Sequence, residues 1–349
     1  MEKQLIYCLF FCLVQIDGFI LRDKEGLILV PSVAFRDRSS TDWILYNQGW
    51  YYEDDPVQAY LTQKSLEKII GKNLDLNRIN LFTADGQESK SVCIDGLDRT
   101  MCTITDDQGR INNTFRIRQN ELTRFVQSNG NNPKLLYQIS VPNKNLRATG
   151  EIYLCDDQGI TFISDLDDTI KVTGVTSTTD TLINTFTGDF KPVLGMSDAY
   201  QYWQTRYNAT FAYITASPDQ LYPFLRQFID REQFPTGSFH MRHFTWFDEN
   251  FVSFFMSNNY IPHKIGTLNL LLNNTLNRTF VCIGDIFQLD PEIYASIYAQ
   301  YPNRIAKIFI RKYANDTSGQ QRLEDVFQGI PRNKWGTFET GNDLPREIF

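Results

Sequence analysis

Two patterns of apolar residues divide the chain. From residue 27 to about residue 154, apolar residues occur in short or alternating runs, separated by turn signals such as Asp95–Gly96 and Asp107–Gly109. About eight short strands at this spacing predict an all-β, sandwich-like domain over residues 19–150. One amphipathic segment, Pro56–Ile70, interrupts the strands and predicts a helix.

Beyond residue 150, strands alternate with helices. Apolar runs at Ile160–Ile163, Phe211–Ile214 and Phe280–Ile283 each lead into a polar turn and a helical pattern, and Arg304–Lys312 predicts a further strand. Strands that alternate with helices predict a parallel sheet with crossover connections. We therefore expect an α/β domain over residues 151–325, with ligands outside the carboxyl ends of its strands.

Two boundaries follow from local signals. Ser217 followed by Pro218 predicts a helix that begins there, with Ser217 as its N-cap. After about residue 325 the content of Gly, Pro, Asn and Asp rises and the periodicity fades, which predicts a tail over residues 326–349.

Composition narrows the classes of function. The 349 residues are 42% apolar and 21% charged, typical of a folded protein, and the length favours two domains. A net charge of −7 provides no general basic field, so nucleic acid is not an expected partner. An anionic substrate would have to be held by a few local groups or by a metal ion.

The spacing of the cysteine, histidine and glycine residues argues against several classes of metal site and enzyme. The sequence has neither a Cys-x-x-Cys pair nor a His-Glu-x-x-His motif, so a zinc site is not expected. His240 and His243 could share a helix face, but no third ligand is evident. Gly-x-Ser-x-Gly and the phosphate-binding Gly-x-x-x-x-Gly-Lys-Ser/Thr motif are also missing, which argues against serine hydrolases and P-loop enzymes.

The N-terminus carries the one candidate for a targeting signal. Lys3 precedes an apolar run from Leu5 to Val14, which favours a secretory signal over residues 1–18 rather than a buried first strand or helix. In an oxidising compartment, Cys93 and Cys102 would be placed to form a disulfide across a hairpin. Without a signal, we expect a cytoplasmic protein peripheral to membranes.

Acidic residues follow the first strand of the α/β domain. Asp165 and Asp167 come directly after the apolar run and, two residues apart, are expected to reach into one pocket. Two such carboxylates remain ionised together when a cation offsets them, and Mg²⁺ prefers oxygen ligands. One could then act as a nucleophile and the other as a proton shuttle, although an acidic loop that caps a helix is the simpler alternative.

Companion residues lie at the other strand ends. Thr215 ends the second apolar run and could hold a phosphoryl oxygen, and Lys264 could neutralise phosphoryl charge. Gly284–Asp285 ends the third run, and Asp290 follows five residues later. These acids could complete a metal site.

In this order the motifs resemble those of the haloacid-dehalogenase phosphatase superfamily, and more narrowly the actin-patch-associated phosphatidate phosphatase family. The resemblance runs from about residue 149 to residue 313 and includes ISDLDDTIKVTGV, YITASPDQLYPFLRQF and IGDIFQLDPEIYASIYAQYPNRI. It implies a haloacid-dehalogenase-like parallel sheet and a Mg²⁺-dependent phosphatase that acts through an aspartyl-phosphate.

The resemblance also implies a role for each site residue. Asp165 is the expected nucleophile, and Asp167 the acid and base. Asp165, the backbone carbonyl of Asp167, and Asp285 are the expected Mg²⁺ ligands, with Asp290 completing the acid set, while Thr215 and Lys264 hold the phosphoryl group.

The expected substrate is phosphatidate at a membrane surface, which would give diacylglycerol. One departure is evident: the family's Gly-Asp-Ser-Gly-Glu-x-Asp motif is replaced around Ile286–Leu289. A phosphomonoesterase for soluble esters, or a non-catalytic lipid- or protein-binding module on a phosphatase fold, remain the alternatives.

Overall fold

The computed structural model describes residues 24–95, 100–127, 133–245, 254 and 258–349. The predicted signal segment, residues 1–18, lies outside these residues. In the described parts of the chain, no helix combines the length and apolar content needed to cross a membrane.

The N-terminal region is rich in β structure, as predicted. Ten strands are hydrogen-bonded into one mixed sheet around its long third strand, which pairs with four others. The strands are β1 (Glu25–Val30), β2 (Ser32–Arg36), β3 (Trp43–Glu53), β4 (Asp85–Gly86), β5 (Ser91–Asp95), β6 (Met101–Ile104), β7 (Arg110–Ile117), β8 (Val126–Gln127), β9 (Lys134–Ser140) and β10 (Arg147–Cys155).

This sheet has a hydrophobic core of its own, which includes Trp43, Tyr51, Leu135 and Ile152. The predicted disulfide joins Cys93 on β5 to Cys102 on β6. A short helix α3 (Gln119–Phe125) follows β7.

The predicted helix in this region is confirmed. Helix α1 spans Pro56–Ile70 because local signals define both ends. The Asp55 carboxylate accepts a hydrogen bond from the N–H of Gln58, Pro56 fits the first turn, and Gly71 ends the helix with a φ of 71°. Helix α2 (Leu76–Thr83) follows.

The C-terminal region is the predicted parallel α/β sheet. Its six strands lie in the order β13-β12-β11-β14-β15-β16, and all neighbours are parallel. The strands are β11 (Ile160–Ser164), β12 (Thr210–Pro218), β13 (Ser238–Arg242), β14 (Thr279–Asp285), β15 (Ile305–Arg311) and β16 (Trp335–Phe338). Helices α4 (Thr178–Phe186), α5 (Met196–Tyr207), α6 (Tyr222–Arg231), α7 (Tyr260–Asn274), α8 (Asp290–Gln300) and α9 (Thr317–Val326) accompany them.

Successive side chains of the central strands β11 and β14 pack into two different hydrophobic cores. Phe162 and Val281 belong to the core that contains Trp203 of α5, whereas Ile163 and Cys282 belong to the core that contains Leu271 of α7. Because both faces are covered, these strands are apolar almost throughout instead of alternating. Their polar residues are concentrated at the carboxyl ends, where the sheet opens to a ligand.

Two predicted boundaries differ from the structure. Strand β12 continues through Pro218, a 3₁₀ turn follows at Asp219–Leu221, and α6 begins only at Tyr222. Ser217 is therefore not a helix cap. The predicted tail also contains β16, which extends the sheet by pairing with β15 and buries Trp335 and Phe338.

Candidate active site

An acidic cluster lies at the carboxyl edge of the parallel sheet. Asp165 directly follows β11, and its N–H donates to the carbonyl of Ile283 on β14 at 2.9 Å. Asp285 is the last residue of β14, and Asp290 is the first residue of α8. All three side chains are fully buried. Parallel strands end at one edge, so residues far apart in sequence meet there.

Lys264 of α7 lies between two of these acids. Its Nζ atom is 2.9 Å from Asp165 Oδ1 and 2.6 Å from Asp290 Oδ1, and it also donates to Gln288 Oε1 at 3.2 Å. Thr169 donates its hydroxyl to the other oxygen of Asp165 at 3.1 Å. Attraction from Asp165 and Asp290 outweighs burial and raises the pKa of Lys264, which is a cation at neutral pH.

The acid set has the donor chemistry of a divalent-cation site. One carboxylate oxygen from each of Asp165, Asp285 and Asp290 lies within 4.8 Å of the others. Asp285 Oδ1 accepts from the N–H groups of Phe287 at 2.6 Å and Gln288 at 2.8 Å, whereas its buried Oδ2 has no hydrogen-bond partner among the described residues. Hard cations such as Mg²⁺ take oxygen ligands, so these residues fit one.

The pKa values of the cluster show why it needs positive charge. Burial raises the pKa of Asp165 to about 8; Lys264 opposes this rise, and the nearby Asp290 and Asp167 add to it. Burial, followed by repulsion from Asp290 and Asp165, also raises the pKa of Asp285 well above its usual value. One lysine therefore does not offset the burial of Asp165 and Asp285, and a divalent cation would favour the ionised forms of both.

Asp167 occupies a separate hydrogen-bond network. Its Oδ2 accepts from Thr215 at 2.9 Å and from Ser217 at 2.7 Å. Its Oδ1 accepts from Thr173 at 2.8 Å and pairs with Lys171 at 2.7 Å. Burial alone would raise the pKa of Asp167, but the Lys171 charge and these hydrogen bonds outweigh it and lower the pKa to about 2.

The chain turn after Asp167 creates this separation. Asp168 has a φ of 54°, and its carboxylate accepts from the N–H groups of Thr173, Gly174 and Val175 at 2.7–2.9 Å. The turn brings Lys171 back beside Asp167. Of the two acids expected in one pocket, only Asp165 contributes its side chain to the three-acid cluster. A contribution from the Asp167 carbonyl stays a prediction.

Residues 160–312 match the model of the family described as "Phosphatidate phosphatase APP1, catalytic domain". This segment is similar to that catalytic domain. Every site residue described above lies within it, from Asp165 in the first strand to Asp290 in α8.

Two curated relatives are similar to about half of this chain. An uncharacterized protein of Schizosaccharomyces pombe is 32% identical over 195 residues, which is 53% of this chain and 30% of the relative. Phosphatidate phosphatase APP1 of Saccharomyces cerevisiae is 32% identical over 163 residues, or 46% of this chain and 27% of the relative. The matched part thus spans less than a third of either relative.

A solved structure offers a far weaker likeness. A carbohydrate acetylesterase from Xanthomonas citri covers 90% of this chain and 68% of its own, with a TM-score of 0.32 and 7% identity. The likeness is too low to support any statement about function.

The loop that departs from the resembled motif is fixed by hydrogen bonds and an ion pair from Arg322. Arg322 of α9 donates to the carbonyls of Ile286 at 2.6 Å and Gln288 at 2.9 Å, and pairs with Glu292 at 2.7 Å. The replaced residues therefore still bring Asp285 and Asp290 together, and Gln288 supplies a side-chain contact to Lys264.

Sequence patterns missed four residues of the candidate active site: Lys171, Thr173, Ser217 and Gln288. The sequence pattern predicts Ser217 as a helix cap and places Gln288 in the altered loop. Lys171 and Thr173 stand four and six residues after Asp167, a short-range signal whose meaning depends on the turn at Asp168. The two histidines three residues apart do not form a site: His240 lies beside Ser238 at 3.1 Å, whereas His243 lies beside Asp219 at 2.9 Å.

Replacing Lys171 by methionine is expected to destabilise the domain by about 3–5 kcal/mol, because a buried carboxylate loses its ion-pair partner. This loss of unfolding free energy should be largest above the ordinary carboxyl pKa of 3.8. It should shrink as the pH falls toward 2, where Asp167 becomes protonated in the wild type. Urea unfolding at several pH values measures it. The double variant Lys171→Met, Asp167→Asn should recover much of the loss; a Lys171→Met protein as stable as wild type would contradict the pairing.

Proposed function

We propose that the chain is a Mg²⁺-dependent phosphatidate phosphatase, a phosphoric monoester hydrolase that acts through an aspartyl-phosphate at Asp165. The observation that carries the proposal is the buried set in which Lys264 bridges Asp165 and Asp290, while one oxygen of Asp285 has no hydrogen-bond partner in the part of the chain that the structure describes. The match of residues 160–312 to the APP1 catalytic domain supports the substrate class.

In the first step, an Asp165 oxygen forms a bond to phosphorus and the bond from phosphorus to the alcohol oxygen breaks. Lys264 offsets the negative charge that collects beside Asp165, while Thr215, in the carboxyl-terminal half of β12, orients the acid-base group Asp167. A divalent cation held by Asp165, Asp285 and Asp290 would supply further charge neutralisation. Bulk water is excluded at these buried groups, which strengthens each electrostatic contact.

Proton transfer is assigned to Asp167 Oδ2, the oxygen held by Thr215 and Ser217. In the resting site this carboxylate is ionised, since its pKa is lowered to about 2. A phosphate monoester that enters as its monoanion brings negative charge, which raises the pKa of Asp167, and also brings a proton. That proton passes to Asp167 Oδ2 and from there to the oxygen of the departing alcohol. The same oxygen then removes a proton from the water that hydrolyses the aspartyl-phosphate, which releases phosphate and restores Asp165.

Phosphatidate is proposed over a soluble ester because the S. cerevisiae relative is named for it. A membrane surface then follows as the place of action, with the protein bound peripherally. The binding-module alternative has less support, since the nucleophile, the bridging lysine and the acid set all occur together.

Phosphate release from dispersed phosphatidate and from soluble p-nitrophenyl phosphate, each with and without Mg²⁺, tests the proposal. We expect Mg²⁺-dependent release from phosphatidate, with a higher kcat/KM than for the soluble ester. Release from the soluble ester alone would favour a soluble phosphomonoesterase. Release from neither would favour the binding module.

A further inference from the structure

Exposed apolar side chains are concentrated in one helical segment. In the described part of the chain, eleven large apolar side chains are exposed, and five of them lie between residues 57 and 76. These five are Val57, Tyr60, Leu61, Ile69 and Leu76, which are 36–79% exposed. Single exposed apolar residues are ordinary, whereas a group of this kind marks an interaction surface.

The outward strip of α1 is both apolar and cationic. Val57, Leu61, Lys64 and Lys68 are separated by four, three and four residues, so they share one helix face, with Tyr60 and Ile69 on its flanks. Lys72 follows just beyond the C-terminus and is also exposed. We call this strip, together with Leu76, the α1 surface.

Two nearby carboxylates cap helices, and a third, Glu67, pairs with Lys64 of this strip. Glu67, whose side chain is only 15% exposed, accepts from the N–H of Leu74 at 3.0 Å and pairs with Lys64 at 2.7 Å. Asp55 and Asp75 cap α1 and α2 through the N–H groups of Gln58 and Asn77. Although the whole chain carries a charge of −7, the α1 surface presents lysines to solvent.

Helix α2 connects this surface to the catalytic domain. Arg78 donates to the carbonyls of Thr185 at 2.7 Å and Gly188 at 2.6 Å, and the N–H of Asp75 donates to the carbonyl of Phe186 at 2.7 Å. Thr185 and Phe186 belong to α4, the helix that follows the loop from Asp165 to Val175. The segment that carries the α1 surface is therefore hydrogen-bonded to the carboxyl end of α4 in the catalytic domain.

We propose that the α1 surface docks on an anionic phospholipid bilayer and holds the catalytic edge at that bilayer; this rests on the proposed function. Apolar side chains interleaved with lysines on one helix face match a surface whose headgroups are negative and whose interior is apolar. Tyr60 suits the boundary because its ring is apolar and its hydroxyl is polar. The occupant is a lipid surface rather than a protein partner or a second copy of the chain.

Binding of the full chain to phosphatidylcholine vesicles, with and without added phosphatidylserine, tests this. We expect binding that depends on phosphatidylserine and weakens at high salt. Lys64→Gln and Lys68→Gln should each weaken it roughly fivefold, and the double variant Val57→Ser, Ile69→Ser roughly tenfold. Matched controls are Leu276→Ser and Lys334→Gln, which lie before the amino ends of β14 and β16 and should bind as wild type does.

Activity measurements separate this inference from the proposed function. The α1-surface variants should lose release from phosphatidate in vesicles while keeping wild-type release from p-nitrophenyl phosphate. If their vesicle binding equals that of wild type, the inference is wrong even though phosphatase activity stands. If the variants instead convert a dimer to a monomer without changing vesicle binding, a second copy is the occupant and the inference is likewise overturned. If the protein binds vesicles through α1 but releases no phosphate, membrane binding by the α1 surface is supported and the proposed phosphatase activity is overturned.

Discussion

Asp165→Asn is expected to lower phosphate release by at least about 10⁴-fold, because the amide cannot form the acyl-phosphate. The substitution preserves shape at a fully buried position and leaves an oxygen that can still accept from Lys264 or Thr169. Rapid acid quench of the wild type during turnover should trap phosphate on Asp165 that hydroxylamine releases, and the variant should trap none.

Asp167→Asn provides the comparison within the same site. It should also be nearly inactive, yet it retains the nucleophile and loses only the proton shuttle, so slow formation of the phospho-enzyme remains possible with substrates whose alcohol leaves readily. Wild-type phosphate release by Asp165→Asn would contradict the covalent mechanism and, with it, the roles proposed for Asp167, Thr215 and Lys264.

Asp285→Asn is expected to remove Mg²⁺-dependent turnover and most of the stabilisation that Mg²⁺ gives. The amide oxygen can keep the two hydrogen bonds from Phe287 and Gln288. The charge is lost at the buried oxygen that has no hydrogen-bond partner among the described residues. Without divalent cations the variant should be at least as stable as wild type, because repulsion from Asp165 and Asp290 is relieved.

Thermal unfolding with and without Mg²⁺ measures this independently of activity. At a Mg²⁺ concentration of 100 times Kd the wild type should gain about 2.7 kcal/mol, and the variant far less. Asp189→Asn, at a side chain that is 85% exposed, is the matched control and should respond to Mg²⁺ as wild type does. An Asp285→Asn protein with the full Mg²⁺ response would exclude Asp285 as a ligand.

Much of the site was predictable because several of its residues follow the apolar runs that predict strands. Asp165, Thr215 and Asp285 each follow an apolar run, and the rule that parallel strands end at one edge places them together without any measured distance. Lys264 and Asp290 lie on helices, and there the resemblance to a known family supplied the roles, while the structure supplied the two ion-pair distances.

The sequence by itself determined features that depend on neighbouring residues. The ends of α1 follow from Asp55, Pro56 and Gly71, which act within one helical turn. The parallel sheet follows from apolar strands that alternate with helices. Such signals are local, so they do not require knowledge of which distant segment packs against them.

Only the tertiary structure decided the environment of Asp167 and the edges of the sheet. Ser217 lies at a predicted helix start, yet β12 runs on past it because of its pairing with β13, which directs its hydroxyl to Asp167. Likewise, the β16 segment shows no clear periodicity of apolar residues, but it extends the sheet because its backbone pairs with the free edge of β15. In both cases a distant strand sets the backbone, and the free energy of that pairing and burial outweighs the local preference that the sequence displays.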